Sequence, residues 1–210
     1  EEFYMIGFQQ VASRYGKEFT FELKSKIMEC NYFICDQSLA VFFITGIEKL
    51  LRHLHKHKVP MGLATSSRKE TYDLKVTHHD ELFQLFPYKT WGSSDPNVKR
   101  GKPYPDIFLI AAAKFPDTPS PDKCLVFEDS LNGVKAAVAA GMQVVMIPDP
   151  RFDRNQAPEA TLILNSMEDF QPEVFGLPPF DDSNIRFNLQ GTNQFSLISF
   201  RKLLIRSEKY

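Results

Sequence analysis

Two adjacent carboxylates follow a short apolar segment in the middle of the chain. Residues 124–127 are Cys-Leu-Val-Phe, and Glu128 and Asp129 come next, before a glycine turn into a helix. Mg²⁺ prefers oxygen ligands, and ligands of an open α/β sheet bind beyond the carboxyl ends of its strands. The pair therefore predicts a magnesium site beside a phosphate. An acidic helix N-cap, with Asp129 or Ser130 accepting from backbone amides, explains these residues equally well when they are taken alone.

Two segments nearer the N-terminus carry groups that can bind phosphate. Val59 begins a run of small and apolar residues that ends in the hydroxyls of Thr65, Ser66 and Ser67. Hydroxyls and the first amides of a helix can hold a phosphate oxygen. Lys102 precedes two prolines that stiffen its loop, so its ammonium group can neutralise a phosphoryl group. Each feature alone is usually a cap or a solvated charge, but together with the acidic pair they favour a phosphate site.

In this order the hydroxyl, the lysine and the acidic pair resemble three motifs of the haloacid dehalogenase-like phosphohydrolases. The resemblance covers about residues 46–179. Within that family, residues 127–133, 140–149 and 164–178 look like the eukaryotic pseudouridine-5′-phosphatase group, and the last segment carries most of this narrower resemblance. The implied fold is α/β, with a Rossmann-like parallel sheet, flanking helices and a helical cap.

The resemblance implies hydrolysis of a phosphomonoester in two steps through an aspartyl-phosphate. Thr65 would donate to a phosphate oxygen with Ser66 beside it, and Lys102 would pair with the phosphoryl group. Asp129 would bind Mg²⁺ directly, with Glu128 assisting. The implied substrate is a small phosphorylated metabolite, a nucleoside 5′-monophosphate such as pseudouridine 5′-phosphate.

The family's first motif, an apolar strand ending in Asp-x-Asp-Gly, has no match in the 210 residues. That motif supplies the nucleophile and the general acid and base. The nearest candidate is Asp36, but it has Ser38 in place of the second aspartate and no glycine after it. We therefore expect a truncated, inactive chain of this phosphatase type, and the alternative is a non-catalytic binding or interaction protein.

The missing motif has a consequence for the sheet, because the family's first strand lies between the strands that end at Thr65 and Glu128. Two strands without that neighbour would keep unpaired backbone groups inside the domain, which is costly. We expect a partly molten monomer unless another segment enters the gap. Candidate segments are residues 33–36, 41–44 and 195–200.

Three regions are expected along the chain. Residues 1–45 correspond to a remnant of the cap and its junction, 46–180 to the α/β core, and 181–210 to a poorly ordered C-terminal extension. Strands are expected between helices at residues 60–65, 88–92, 124–128 and 144–148. The helix expected over 46–58 carries three histidines that we interpret as surface residues rather than metal ligands, namely His53, His55 and His57.

Composition sets further limits. A net charge of −1 gives no electrostatic case for a nucleic acid polymer or an anionic membrane as partner. Three cysteines without a ligand spacing favour a reducing compartment, for which the cytoplasm is the simplest choice. Apolar runs are too short to span a bilayer. Nothing in the sequence indicates an oligomeric state.

Overall fold

The computed structural model divides the chain into two compact units, Glu1–Ala40 and Val41–Tyr210. The residues that it describes are 46–76, 80–181 and 203–206, with Gln9, Ser13, Glu18 and Thr20 as single positions. The weak nucleophile candidate Asp36 lies outside the described residues. The same holds for the candidate substitute strands at 33–36, 41–44 and 195–200.

Helices and strands alternate through the second unit. The helices are α1 (Ile47–Lys56), α2 (Lys69–Val76), α3 (Asp80–Phe83), α4 (Asp106–Ala113) and α5 (Leu131–Ala139). The strands are β1 (Met61–Thr65), β2 (Tyr88–Trp91), β3 (Cys124–Glu128), β4 (Gln143–Met146), β5 (Leu162–Ile163) and β6 (Leu203–Arg206). Short 3-10 turns occur at Pro121–Lys123, Arg154–Gln156, Met167–Asp169 and Pro172–Phe175. None of the helices in the described ranges is long and apolar enough to cross a membrane.

The four strands expected from the sequence are confirmed as β1 to β4, within a residue or two at their ends. Strands β1 and β2 pair in parallel, as do β3 with β4 and β4 with β5. All five residues of β3 are buried, which suits a strand covered by helices on both faces. The two-residue strand β5 was not anticipated, since so short a segment has no readable pattern.

The strand order is β2-β1-β6-β3-β4-β5, so the gap between β1 and β3 is filled by β6. This strand runs antiparallel to both neighbours, with Leu203 opposite Leu63 and Phe127. The expectation of a poorly ordered extension is wrong for these four residues, because they lie in the middle of the sheet. The physical reason is the one that predicted a gap: the inner edges of β1 and β3 need backbone partners.

Each face of the sheet has its own apolar cluster, because successive strand residues point to opposite faces. On one face, Leu63 and Phe127 pack in a cluster that includes Leu50 and Leu54 of α1. On the other face, a second cluster joins strand residues to α4 and α5, with members Ala64, Val126, Phe108, Ala111, Val134 and Ala137. The carboxyl ends of β1 and β3 therefore emerge between two packed helical layers.

Replacing Leu204 by proline tests the central position of β6. Proline removes a backbone N–H from a strand that has neighbours on both sides, and it leaves a carbonyl of β1 or β3 unpaired. We expect the free energy of unfolding to fall by about 3 kcal/mol in urea denaturation. Leu204→Val is the matched control because it keeps every backbone hydrogen bond. Equal stabilities of the two variants would place β6 outside the sheet.

Candidate active site

The carboxyl ends of β1 and β3 lie at the same edge of the sheet. Leu203 of β6 pairs with both Leu63 of β1 and Phe127 of β3. Thr65 and Asp129, each two residues after its paired residue, therefore lie at the same height along the sheet. One strand separates β1 from β3, so their backbones are about 10 Å apart. The hydroxyl segment and the acidic pair therefore flank the start of β6 from its two sides.

Lys102 and Glu128 form a buried ion pair at this edge. The Lys102 ammonium donates to Glu128 Oε1, and the two side chains are 4% and 0% exposed. The ammonium also lies 4.3 Å from the centroid of the Phe108 ring, in the first half of α4. A buried ion pair is weak evidence for stability, since its desolvation offsets its attraction. Its placement at the carboxyl ends of the strands instead suits a charged ligand.

The loop that carries Lys102 is fixed to the start of α4. The Arg100 backbone N–H donates to Asp106 Oδ2 at 3.0 Å, and the Arg100 guanidinium contacts Oδ1 at 3.3 Å. Desolvation, the largest single effect, would raise the pKa of Asp106, but the bonds and charge of Arg100 oppose it and the net pKa lies below its usual value. The carboxylate is therefore ionised at neutral pH and anchors the loop.

The second oxygen of Glu128 is held by Ser130. The Ser130 hydroxyl donates to Glu128 Oε2 at 3.1 Å and accepts from the Gly133 backbone N–H at 3.2 Å. Ser130 is thus the N-cap of α5, which settles which residue fills the capping role. Asp129 lies half-buried between the ion pair and this cap. A carboxylate in that position can serve as an oxygen ligand for Mg²⁺, whereas both oxygens of Glu128 already have protein partners.

Gly133 is required by the close approach of α5 to Glu128. A Cβ atom at this position would lie 2.0 Å from the Glu128 carboxyl carbon. The approach lets the first turn of α5 pack directly against the carboxylate. Sequence reasoning treated Gly133 as part of a turn, and nothing in the local pattern indicated a contact with a residue five positions earlier.

The hydroxyl segment after β1 is held by the loop after β2. The Ser67 backbone N–H donates to Thr65 Oγ1 at 3.2 Å, and the Ser93 hydroxyl donates to the Ser66 carbonyl at 2.8 Å. The Gly92 N–H bonds the Thr65 carbonyl at 2.6 Å. Thr65 Oγ1 thus accepts one bond and keeps its own hydrogen for a further acceptor. Ser93 was missed by the sequence analysis, because its relation to Ser66 depends on the pairing of β1 with β2.

Comparison with known proteins agrees with this architecture. The family model for haloacid dehalogenase-like hydrolases matches residues 15–141. A probable pseudouridine-5′-phosphatase of Drosophila melanogaster is 43% identical over 212 residues, covering 87% of this chain and 90% of that protein. The (DL)-glycerol-3-phosphatase 2 of Arabidopsis thaliana is 40% identical over 213 residues, covering 88% of each.

A solved structure is also similar. The crystal structure of a HAD family hydrolase from Deinococcus radiodurans R1, with bound phosphate and sodium, has a TM-score of 0.55 and 26% identity to this chain. The match covers 65% of this chain and 62% of that one, so this chain spans less than two thirds of that protein's length.

A largely parallel α/β sheet with hydroxyl, lysine and acidic groups at its carboxyl edge defines a phosphohydrolase of the haloacid dehalogenase type. This chain belongs to the haloacid dehalogenase-like hydrolase family, and it resembles the pseudouridine-5′-phosphatases within it. The family and the fold class expected from the sequence are confirmed.

Replacing Gly133 by alanine tests the contact with Glu128, because helix propensity and this contact have opposite effects on stability. Alanine in a helix is ordinarily favoured over glycine by about 1 kcal/mol. Here the new methyl group would collide with the Glu128 carboxylate, so we expect the free energy of unfolding to fall by about 1–3 kcal/mol. Lys135→Ala, on the exposed side of the same helix, should change stability by less than about 0.5 kcal/mol. A Gly133→Ala variant more stable than the parent would refute the close approach.

A double-mutant cycle tests the ion pair. Lys102→Met leaves the Glu128 carboxylate buried without a counterion and should cost about 3–5 kcal/mol. Adding Glu128→Gln to that variant removes the uncompensated charge and should restore part of the stability. Urea denaturation of the parent, both single variants and the double variant gives the coupling energy, which we expect to exceed about 1 kcal/mol. Additive effects would mean that the two side chains do not interact.

Proposed function

We propose that this chain binds small phosphate monoesters together with Mg²⁺ through Thr65, Ser66, Lys102, Glu128 and Asp129. The observation that carries the proposal is the buried Lys102–Glu128 pair at the carboxyl edge of the sheet. Charges buried at such an edge are typical of functional sites. Membership of a hydrolase family that contains phosphatases of similar sequence gives the ligand class.

Lys102 supplies the positive charge that a phosphoryl group needs. Glu128 orients the ammonium group and, by sharing its charge, keeps it in a buried place where the dielectric is low and electrostatic attraction is strong. Ser130 holds the other carboxylate oxygen, so the orientation of Lys102 is fixed before a ligand arrives. Such preorganisation lowers the cost of binding.

Asp129 is the residue that we assign as the direct ligand of Mg²⁺, with Glu128 assisting through Lys102. Mg²⁺ keeps several waters and is usually held by one or two carboxylates plus phosphate oxygens, which fits a half-buried aspartate beside the proposed phosphate site. When bound, the ion would neutralise negative charge on the phosphoryl group. Asp129 then holds the ion in place, and Lys102 provides the remaining positive charge.

Thr65 and Ser66 contribute the hydroxyl side of the site. Thr65 Oγ1 keeps one hydrogen for a phosphate oxygen after accepting from Ser67. The bond from Ser93 to the Ser66 carbonyl holds the segment in its turn conformation. Thr65 pairs at the same level of the sheet as Asp129, about 10 Å away across the start of β6, and in the proposed site it would contact the side of the phosphoryl group that faces away from the cation.

The family's aspartate nucleophile has no matching segment in the sequence. The sequence has no Asp-x-Asp segment, and β6, which occupies the position between β1 and β3, is Leu-Leu-Ile-Arg. These facts favour binding of phosphate esters without turnover over the hydrolysis that the family resemblance implies. The narrower substrate, pseudouridine 5′-phosphate, and a cytoplasmic location are part of the proposal and follow from resemblance and cysteine usage.

The test measures binding and turnover separately on the purified 210-residue chain. Isothermal titration calorimetry with pseudouridine 5′-phosphate and with glycerol 3-phosphate should show binding that tightens when Mg²⁺ is present. Asp129→Asn should remove the Mg²⁺ effect, weakening binding about tenfold or more. His55→Ala, on the exposed side of α1, should bind as the parent does. Release of inorganic phosphate should stay near background, because removing a covalent nucleophile costs several powers of ten in rate.

Two results would contradict the proposal in different ways. Binding that Asp129→Asn leaves unchanged, with its Mg²⁺ dependence intact, would reduce the acidic pair to a structural element. Robust phosphate release by the 210-residue chain would mean that a nucleophile exists outside the described residues, and loss of that activity in Asp36→Asn would identify it.

A further inference from the structure

A second group of ligating side chains lies at the opposite edge of the sheet from the candidate active site. His53 and His57 lie at the C-terminal end of α1, which leads into the first residue of β1, whereas Thr65 is the last residue of that strand. Four residue steps along a strand span about 13 Å. The third member, Asp181, follows the turn at Pro172–Phe175. This group shares no residue with the proposed phosphate site.

The two histidines share one face of α1, and Asp181 bridges them. His57 Nε2 lies 2.9 Å from Asp181 Oδ1, and His53 Nδ1 lies 3.9 Å from Asp181 Oδ2. One ligand atom from each of the three residues falls within 4.8 Å of the other two. The sequence analysis interpreted these histidines as surface residues scattered around the helix. That interpretation is wrong for His53, which is buried. His53 and His57 are also not scattered, because residues four apart lie on the same face of a helix.

The hydrogen bond of His53 determines which ring nitrogen offers a lone pair. Its Nε2 lies 2.9 Å from the Pro178 carbonyl oxygen, which can only accept, so Nε2 carries the hydrogen. In a neutral ring Nδ1 is then an acceptor, and it faces the Asp181 carboxylate. At 3.9 Å the two atoms are too far apart for a hydrogen bond, so the Nδ1 lone pair is available to an ion that the carboxylate can share. A histidine that donates its other N–H to a backbone carbonyl is also the usual arrangement around bound zinc.

We propose that His53 Nδ1, His57 and Asp181 form a binding site for a divalent transition-metal ion such as Zn²⁺, with water completing the coordination. Imidazole nitrogens with one carboxylate suit zinc rather than Mg²⁺, which prefers oxygen ligands. Ligand atoms bound at about 2.0–2.2 Å from a tetrahedral ion are about 3.3–3.6 Å apart, so atoms that now lie within 4.8 Å of one another must approach by up to about 1.5 Å. His57 and Asp181 are partly exposed, with side chains 31% and 41% accessible, and can make this adjustment.

Lys56 is a nearby group that opposes a cation. Its ammonium group lies 2.7 Å from Asp181 Oδ2, and this bond, followed by that of His57, holds the pKa of the Asp181 carboxyl below its usual value. The Lys56 side chain is 69% exposed and can turn toward solvent when an ion is bound. Removing its charge should strengthen metal binding.

The surroundings would let an ion reach this group, and a bound ion would stabilise the fold. A cavity of about 300 Å³ opens beside His57 and is lined also by Val59, Pro60 and Leu177. Water and metal ions can reach His57 through it. A bound ion would cross-link α1 to the segment that contains Pro178 and Asp181, and so stabilise the folded state.

The experiment titrates ZnCl₂ into the purified chain by calorimetry, in buffer with excess Mg²⁺ to occupy oxygen sites. Zn²⁺ at about a hundred times its dissociation constant should raise the melting temperature by about 5–10 °C. His57→Gln and Asp181→Asn should each weaken binding at least tenfold and abolish that rise. Lys56→Gln should tighten binding. His55→Gln, on the same helix but outside the group, is the matched control and should behave as the parent.

The possible outcomes are distinct. Binding by the parent that both His57→Gln and Asp181→Asn retain would put the ion elsewhere and overturn the proposal. No binding and no change in melting temperature would also overturn it, leaving only the contacts of Asp181 with Lys56 and His57. Both variants change exposed side chains, and circular dichroism establishes that they fold. None of these readouts depends on phosphate binding, so the result is independent of the proposed function.

Discussion

Backbone pairing at the inner edges of β1 and β3 is the constraint on which the rest of the structure depends. These strands end at the hydroxyl segment and at the acidic pair, and each leaves a row of N–H and C=O groups facing the other across one strand width. A buried amide without a partner costs about as much as a lost hydrogen bond. Strand β6 meets that requirement from the C-terminal end of the chain. By doing so it fixes the spacing between the two halves of the candidate site.

The ion pair between Lys102 and Glu128 depends on that spacing and on the helices around it. Glu128 ends a strand buried on both faces, and its carboxylate is enclosed by Lys102, by Ser130 and by the first turn of α5 at Gly133. Lys102 supplies the opposite charge, Ser130 supplies a hydrogen bond, and Gly133 leaves the space that the carboxylate occupies. A site of this kind is rigid because its charged groups are held by the same contacts that form the core.

The elements of the core could be predicted from sequence because their signals are local. An apolar run bounded by polar residues predicts β3, and the order of Thr65, Lys102 and Asp129 predicts the site. Other features depend on contacts between distant residues. The approach of Gly133 to Glu128 and the bond from Ser93 to Ser66 appear only after the strands are paired.

Two errors have identifiable physical causes. Strand β6 was missed because its four residues follow a basic pair and resemble the rest of an amphipathic tail, and nothing local states that it is needed between two strands far away in the sequence. His53 was assigned to the surface because three alternating histidines look scattered. The spacing of four between the outer two, which places them on one helix face, was given too little weight.

The position of β6 also bears on how the chain is made. Of the strands described, β6 is synthesised last although it lies in the middle of the sheet. The backbone groups on the inner edges of β1 and β3 therefore stay unpaired until β6 has been made. Sheets that close through contacts between distant residues fold slowly, and open strand edges in the waiting chain invite pairing with other molecules. A nascent chain of this protein would thus depend on chaperones until β6 emerges, and deleting the residues of β6 would harm it more than a comparable loss from a surface loop.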